Sequence, residues 1–193
     1  MDDLTKRIRF LKILDEAKSV LRQTPLADSS RMENDAEHMW HLAVTAIVLE
    51  KYCILDIDLD HVIRLALFHD VIEIYSGDTY AYDEKAKLDQ HKREMEAAEK
   101  LFSVLPEEQG SELKSLFLEF EAMETNDSLY ANACDRFQPF MLNLASGGSS
   151  WVSHGVYADQ IRKRMAPIKQ VMPEVYRYVE ENIESSKEKG LLK

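Results

Sequence analysis

Apolar residues recur at steps of three and four along nearly the whole of this chain, which is the period of a helix with one buried face. Only six glycines and five prolines interrupt its 193 residues, and nothing in it reads as a sheet. The first segment puts Leu4, Ile8, Leu11, Leu14, Ala17 and Leu21 on one face and ends before Thr24 and Pro25. That stripe is expected to be core.

The run from Asp28 to Glu33 reads as a polar connection. Asn34 can cap the next helix, with Glu37 three residues on to complete a capping-box-like pair, so His38 falls in that helix's first turn. The helix runs through Trp40, Ala43, Val44 and Ile47 toward Cys53. A third helix begins near Asp58 or Asp60, carries Val62, Leu65, Ala66 and His69, and is broken by Ser76, Gly77 and Asp78. After an aromatic loop with Tyr75, Tyr80 and Tyr82, a charged helix from about Glu84 to Ser103 shows Leu88, His91, Met95, Ala98 and Phe102 on one side. Pro106 starts another at its first position, presenting Leu113, Leu116, Phe120 and Met123. The next begins near Asn126 or Asp127 and carries Leu129, Ala133, Asp135, Phe137, Met141 and Leu144.

Gly147, Gly148, Ser149 and Ser150 form a junction, beyond which two helices are expected, starting near His154 and at Pro173. The remaining stretch of about 45 residues is too short for a core of its own, so it should pack back on the rest. The expected architecture is therefore all-α, a single compact domain over residues 1–193 with its core at about 20–145 and terminal helices at 151–193.

The formal net charge of -11 excludes a polymeric nucleic-acid partner, since no stripe of Lys and Arg with interleaved aromatics offsets it. An acidic protein that handles a small phosphate must neutralise it locally, with a bound cation or a few placed arginines. No apolar run is long enough to span a membrane and the N-terminus lacks a signal-peptide apolar region, so a cytoplasmic protein is expected. Cys53 and Cys134 form no CxxC pair and suit reduced, buried thiols.

His69 and Asp70 follow the apolar Ala66, Leu67 and Phe68, so two ionisable side chains emerge where burial is expected. An unpartnered buried carboxylate costs on the order of several kcal/mol, and a divalent cation would satisfy it together with the imidazole. Two ligands are too few, and His38 and Asp135 on other helices can supply the rest.

Three runs carry a family resemblance: Ala36-Glu37-His38, Ala66-Leu67-Phe68-His69-Asp70 and Ala133-Cys134-Asp135. A helical His, a His-Asp pair about thirty residues later and a distant Asp resemble the pattern of the HD-domain phosphohydrolases. The longer runs Glu33-Asn34-Asp35-Ala36-Glu37-His38 and His69-Asp70-Val71-Ile72-Glu73-Ile74-Tyr75-Ser76-Gly77-Asp78 are similar to its small 5'-deoxynucleotidase-like branch, over roughly residues 20 to 145.

The resemblance implies an HD-domain helical bundle, one divalent ion held by His38, His69, Asp70 and Asp135, nucleoside 5'-monophosphates as small-molecule substrates, and a homodimer. Two imidazoles and two carboxylates suit Mn, Co, Ni, Fe, Zn or Mg, so the metal stays open. Glu73, one helical turn after His69, is placed to act as general base. Asp78 resembles the second acid of the nucleotidase pattern. Arg22 and Arg31 are the candidates to clamp phosphate, because guanidinium gives bidentate geometry.

Within the superfamily, Ile74 after Glu73 departs from guanosine-tetraphosphate hydrolases, Val71 after Asp70 from di-iron oxygenases, and the absent Gly-Tyr-Pro motif from cyclic-diguanylate hydrolases. Another nucleotide or sugar phosphohydrolase remains an alternative. So does a non-catalytic, metal-bearing dimeric binding module, although Glu73 and Asp78 together would serve no purpose there.

Overall fold

A computed structural model of the protein describes residues 1–83, 85 and 88–193. The helices run α1 (Asp3–Leu14), α2 (Asp35–Leu49), α3 (Leu59–Phe68), α4 (Glu73–Ser76), α5 (Gln90–Phe102), α6 (Glu107–Ala122), α7 (Asn126–Ala145), α8 (Ser149–His154), α9 (Ala158–Val171) and α10 (Pro173–Glu188). The fold is all-α, as the periodicity requires, with one small exception described below. Among the described residues no helix is long and apolar enough to cross a membrane.

The centre is a triangle of α2, α3 and α7, with α6 against α3 and α7. Leu42 and Ala46 of α2, Val62, Leu65 and Ala66 of α3, and Tyr130, Ala131 and Ala133 of α7 are excluded from solvent. The Tyr130 hydroxyl donates to the Ala46 carbonyl at 2.7 Å, so the deepest aromatic ring brings its own partner for its polar end. α9 lies along α7 and α10 along α9, which places Ala158–Val171 directly against the helix that carries Asp135, with α10 behind it.

The cap read from sequence at Asn34 forms, and the helix expected to begin near Asp58 or Asp60 is capped by the first of these. Asn34 accepts the Glu37 N–H while the Glu37 carboxylate accepts the Asn34 N–H, at 3.0 and 3.1 Å. Asp58 caps α3 by accepting from Asp60 and His61. These caps fix where α2 and α3 begin and therefore the rotational phase at which their histidines leave them.

The structure departs from the sequence reading in five places. Only the end of the first stripe is core: Ala17 is buried and Leu14 packs against the core, whereas Leu4 and Leu11 are 66% and 64% exposed, and the buried residue of α1 is Phe10, whose ring meets Phe102 at 6.4 Å. A helix at the edge of a bundle docks by its largest apolar side chain, and here that rotates the leucines outward. Leu21 belongs to no helix at all. It opens a two-stranded antiparallel hairpin, β1 (Leu21–Pro25) with β2 (Met32–Asn34), Leu21 opposite Asn34 and Pro25 opposite Met32. The supposed polar connection is its loop, closed by the Leu26 N–H on the Arg31 carbonyl and by Asp28 accepting the Ser30 N–H.

The third departure is at the centre: α3 stops at Phe68, and a tight turn with the Glu73 N–H on the Asp70 carbonyl separates it from α4. His69, Asp70 and Glu73 therefore line a break rather than one continuous helix face. Fourth, α5 starts at Gln90 and buries Glu94, Ala97, Ala98, Leu101 and Phe102. Leu88 precedes it at 86% exposure and His91 is exposed, so neither joins the buried face; the expected start at Glu84 lies outside the described residues. Fifth, an additional helix, α8, follows the glycine pair, and α9 begins at Ala158 rather than near His154.

Two leucines test this assignment. Leu65→Ala should lower the unfolding free energy by about 2–5 kcal/mol, and Leu88→Ala by less than about 0.5 kcal/mol, in parallel urea titrations. Equal effects would mean that the apolar faces are wrongly placed.

Candidate metal centre

α7 supplies both partners of His38. Asp135 and Gln138 are three residues apart, so they project from one face, and the buried imidazole is held between them. Its Nδ1–H donates to Gln138 Oε1 at 3.0 Å, which leaves Nε2 turned to Asp135 Oδ1 at 3.0 Å and Asp70 Oδ2 at 3.6 Å. Gln138 is itself fixed, donating to Glu33 Oε1 at 2.6 Å and to His41 Nδ1 at 3.0 Å.

His69 is oriented differently. Its Nδ1–H donates to the Ala66 carbonyl at 2.9 Å, and its Nε2 faces Asp70 Oδ2 at 3.0 Å and Asp135 Oδ1 at 3.7 Å. That Nε2 is buried with no hydrogen-bond partner. The His38, His69 and Asp135 donor atoms all lie within 4.8 Å of one another. Two imidazoles with committed Nδ1 atoms and convergent Nε2 atoms, one of them orphaned, fit a divalent cation bound with the two carboxylates.

The electrostatics agree. Burial pushes the His69 imidazole down, but Asp70 and Asp135 overcome it and hold the group up at about 10. His38 is raised as well, burial and Arg22 being outweighed by Asp135 and Glu33. Burial raises Asp70 and Asp135, yet the imidazoles, and for Asp70 also Arg22, carry both below the usual carboxylate range. Protons on the two histidines thus occupy the place in the charge balance that a divalent cation would take, and metal binding would release them.

A second group of acids surrounds Arg22, which β1 delivers to the cavity. Its Nη1 lies 2.5 Å from Asp70 Oδ2, 3.5 Å from Asp35 Oδ1, 3.7 Å from Glu73 Oε2 and 3.9 Å from Asp78 Oδ1. Burial and the charge of Asp70 push Glu73 well above the ordinary value and Asp35 to about 7. Burial also raises Asp78, against the pull of Arg22. Asp78 reaches the site because Gly77, at a φ of +73° that disfavours other residues, ends α4 and turns the chain back.

Seven of the eight residues singled out in the sequence therefore meet in one place: Arg22, His38, His69, Asp70, Glu73, Asp78 and Asp135. Arg31 does not join them. It is on the hairpin loop, its guanidinium held by both oxygens of Glu37 at 2.5 and 2.7 Å. The cavity around the group measures about 250 Å³ and is also lined by Glu94, Glu121, Arg136 and Arg164. Arg136 adjoins Asp135 in sequence, but its helix position alone does not say which way it points; Arg164 lies on a helix that carries no motif.

The chain matches the HD domain family over residues 14–176. It is 31% identical to mouse (Mus musculus) 5'-deoxynucleotidase HDDC2 and 30% identical to the human (Homo sapiens) protein of that name, in each case over 67% of this chain. These matches span 64% and 62% of the two relatives, less than two thirds of their length. A crystal structure of a predicted metal-dependent phosphohydrolase from Magnetospirillum magnetotacticum superposes with a TM-score of 0.93 at 38% identity, covering 98% of this chain and 95% of that one. A conserved hypothetical protein from Pyrococcus furiosus shares the fold, with a TM-score of 0.64 at 17% identity over 94% of this chain and 99% of its own. With the family pattern spanning most of its length and the histidines and aspartates gathered at one centre, this chain belongs to the HD domain family.

Proposed function

We propose that the protein is a metal-dependent phosphomonoesterase acting on nucleoside 5'-monophosphates, with 2'-deoxyribonucleotides preferred. The observation that carries this reading is the convergence of two buried, oriented imidazoles with Asp70 and Asp135, directly beside Glu73 and Asp78. His38, His69, Asp70 and Asp135 would hold one divalent ion, which when bound supplies Lewis acidity toward a phosphoryl oxygen and toward water. The names of the HDDC2 relatives support the substrate class, and the M. magnetotacticum neighbour the metal-dependent chemistry.

The chain's own residues divide the remaining work. Glu73 takes a proton from the attacking water, and burial beside Asp70 makes its carboxylate a stronger base than an ordinary glutamate. As the phosphorus–oxygen bond to the sugar breaks, Asp78 returns a proton to the leaving oxygen. Arg22 holds Asp35, Asp70, Glu73 and Asp78 in register and faces the phosphate from the same cavity. Arg31, committed to Glu37, has no part in this reading.

The whole chain acts as one unit in this proposal, working in the cytoplasm as a homodimer. The outward leucines of α1 support the dimer, since a row of exposed apolar side chains on a terminal helix gains by being covered. Sedimentation equilibrium should give twice the 22.3 kDa chain mass, and a monomer at micromolar concentration would exclude it.

Asp70→Ala and Glu73→Gln separate binding from chemistry. Asp70→Ala should lose the metal by elemental analysis and melt at a lower temperature than the loaded wild type. Glu73→Gln should keep the metal and lose on the order of a hundredfold in kcat. Metal retained without Asp70 would remove that ligand, and unchanged turnover in Glu73→Gln would move the base elsewhere.

The substrate preference is tested by phosphate release from matched deoxy- and ribonucleoside 5'-monophosphates with Mn and Co in turn. A site that leaves a 2'-hydroxyl desolvated without a partner should disfavour ribose by about ten- to a hundredfold in kcat/KM. Equal specificity constants within each pair would remove the deoxy preference while leaving the phosphomonoesterase in place.

A further inference from the structure

Three cavities meet at Arg136 and Arg164. One is the acidic metal cavity, one is a cleft of about 40 Å³ against Tyr80, Phe140 and Trp151, and the third is an outer cavity of about 330 Å³. The outer cavity is lined by Arg136, Lys163 and Arg164 with Tyr82 and Gln160, and no carboxylate is among its described lining residues. In a chain with a net charge of -11, three cations around one empty volume reverse the prevailing sign.

Arg136 and Arg164 differ in what they touch from the arginines that carboxylates engage. Arg22 is surrounded by four carboxylates, Arg31 is taken by Glu37, and Arg162 by Asp159, Glu180 and Glu184. Arg136 has its Nη2 against the Met123 sulfur at 3.4 Å and its Nη1 buried without a hydrogen-bond partner. Among the described residues, the carboxylate oxygen nearest to Arg164 is Asp135 Oδ2, at 3.9 Å. A guanidinium desolvated without an acceptor is costly, and a phosphate would satisfy two at once through paired N–H donors.

We infer that Arg136, Lys163 and Arg164 form an anion subsite that holds a second phosphate group of the substrate, beyond the phosphate hydrolysed at the metal centre. The inference rests on the phosphohydrolase reading for the position of the scissile phosphate. A nucleoside monophosphate would place its one phosphate at His38, His69, Asp70 and Asp135, leaving an uncharged sugar and base against three cations. A nucleotide with two phosphates fills both sites, so 5'-monophosphates are accepted at the metal centre while a substrate carrying a second phosphate is preferred. The second phosphate is either the inner one of a 5'-diphosphate or the 3'-phosphate of a 3',5'-bisphosphate; the chemistry recognised is the same.

Binding can be read without turnover. Protein stripped of metal and dialysed free of chelator is titrated calorimetrically with pyrophosphate and with orthophosphate, for the wild type, Lys163→Gln, Arg164→Gln and the double variant. Circular dichroism melts confirm that each is folded. Pyrophosphate should bind the wild type about tenfold more tightly than orthophosphate, and the double variant should lose at least that advantage. Equal affinities for the two anions, or a pyrophosphate affinity unmoved in the folded double variant, would overturn the subsite.

With metal restored, kcat/KM is compared for deoxyadenosine 5'-monophosphate, its 5'-diphosphate and its 3',5'-bisphosphate. A preference for either doubly phosphorylated compound that falls about tenfold in Arg164→Gln supports the subsite and identifies which phosphate it holds. A wild-type preference for the monophosphate over both overturns it as a substrate subsite. Pyrophosphate binding that depends on Lys163 and Arg164, in a protein hydrolysing none of the three, would keep the anion site and remove the nucleotidase reading.

Discussion

Asp70 is the residue on which the other charges of the centre depend. It sits in the break between α3 and α4, and its carboxylate touches both the imidazole side and the guanidinium side of the cavity, 3.0 Å from His69 Nε2 and 2.5 Å from Arg22 Nη1. Because burial makes every uncompensated charge expensive, the groups around it settle into two sets. Asp70 and Asp135 surrender their protons to the histidines, whereas Asp35, Glu73 and Asp78 hold theirs more tightly than exposed acids do. Environments that drive neighbouring carboxyls in opposite directions give one cavity both ionised and proton-holding acids, the division that the proposed metal ligands and proton-transfer groups require.

The parts of this arrangement that were legible in the sequence are those set by local rules. Asn34 and Glu37 announce a helix start by residue type and spacing, and the start fixes His38. His69-Asp70 stands out because charged groups follow an apolar run, and Gly77-Asp78 because glycine permits the positive φ that turns the chain back. What remained hidden depends on tertiary choice. The α1 row of Leu4, Ile8 and Leu11 has faultless helical spacing, yet the helix docks through Phe10. Periodicity identifies a helix with an apolar face, but it does not say whether that face meets this chain or another surface.

The hairpin shows a related limit. Residues 21–34 have too few strand positions to display alternation, so Arg22 looked like the tail of a helix and Arg31 like its equal as a phosphate ligand. Once β1 and β2 pair, the two arginines part: Arg22 enters at the start of β1 beside Asp35, while Arg31 stays in the loop next to Glu37. Arg136 and Arg164 come from helices α7 and α9, which are brought together only by packing of the C-terminal segment. Neither pair could be sorted by residue type, because guanidinium chemistry is the same in all four.

The two histidines show how such a centre tolerates its own asymmetry. His69 is oriented by a backbone carbonyl one turn back in α3, so its direction is set by the helix itself and needs no other element. His38 depends on a side-chain relay across three elements, with Gln138 of α7 joined to Glu33 of β2. Glu33 also lies 3.7 Å from His38 Nδ1, which adds negative charge on the far side of the ring and strengthens Nε2 as a donor to a cation. Orientation by backbone gives His69 a fixed position, and orientation by the relay ties His38 to the hairpin that also delivers Arg22. Any shift of β2 against α7 must therefore disturb His38 and the acid-pairing arginine together, which couples the histidine side of the cavity to the side where Asp35, Glu73 and Asp78 meet Arg22.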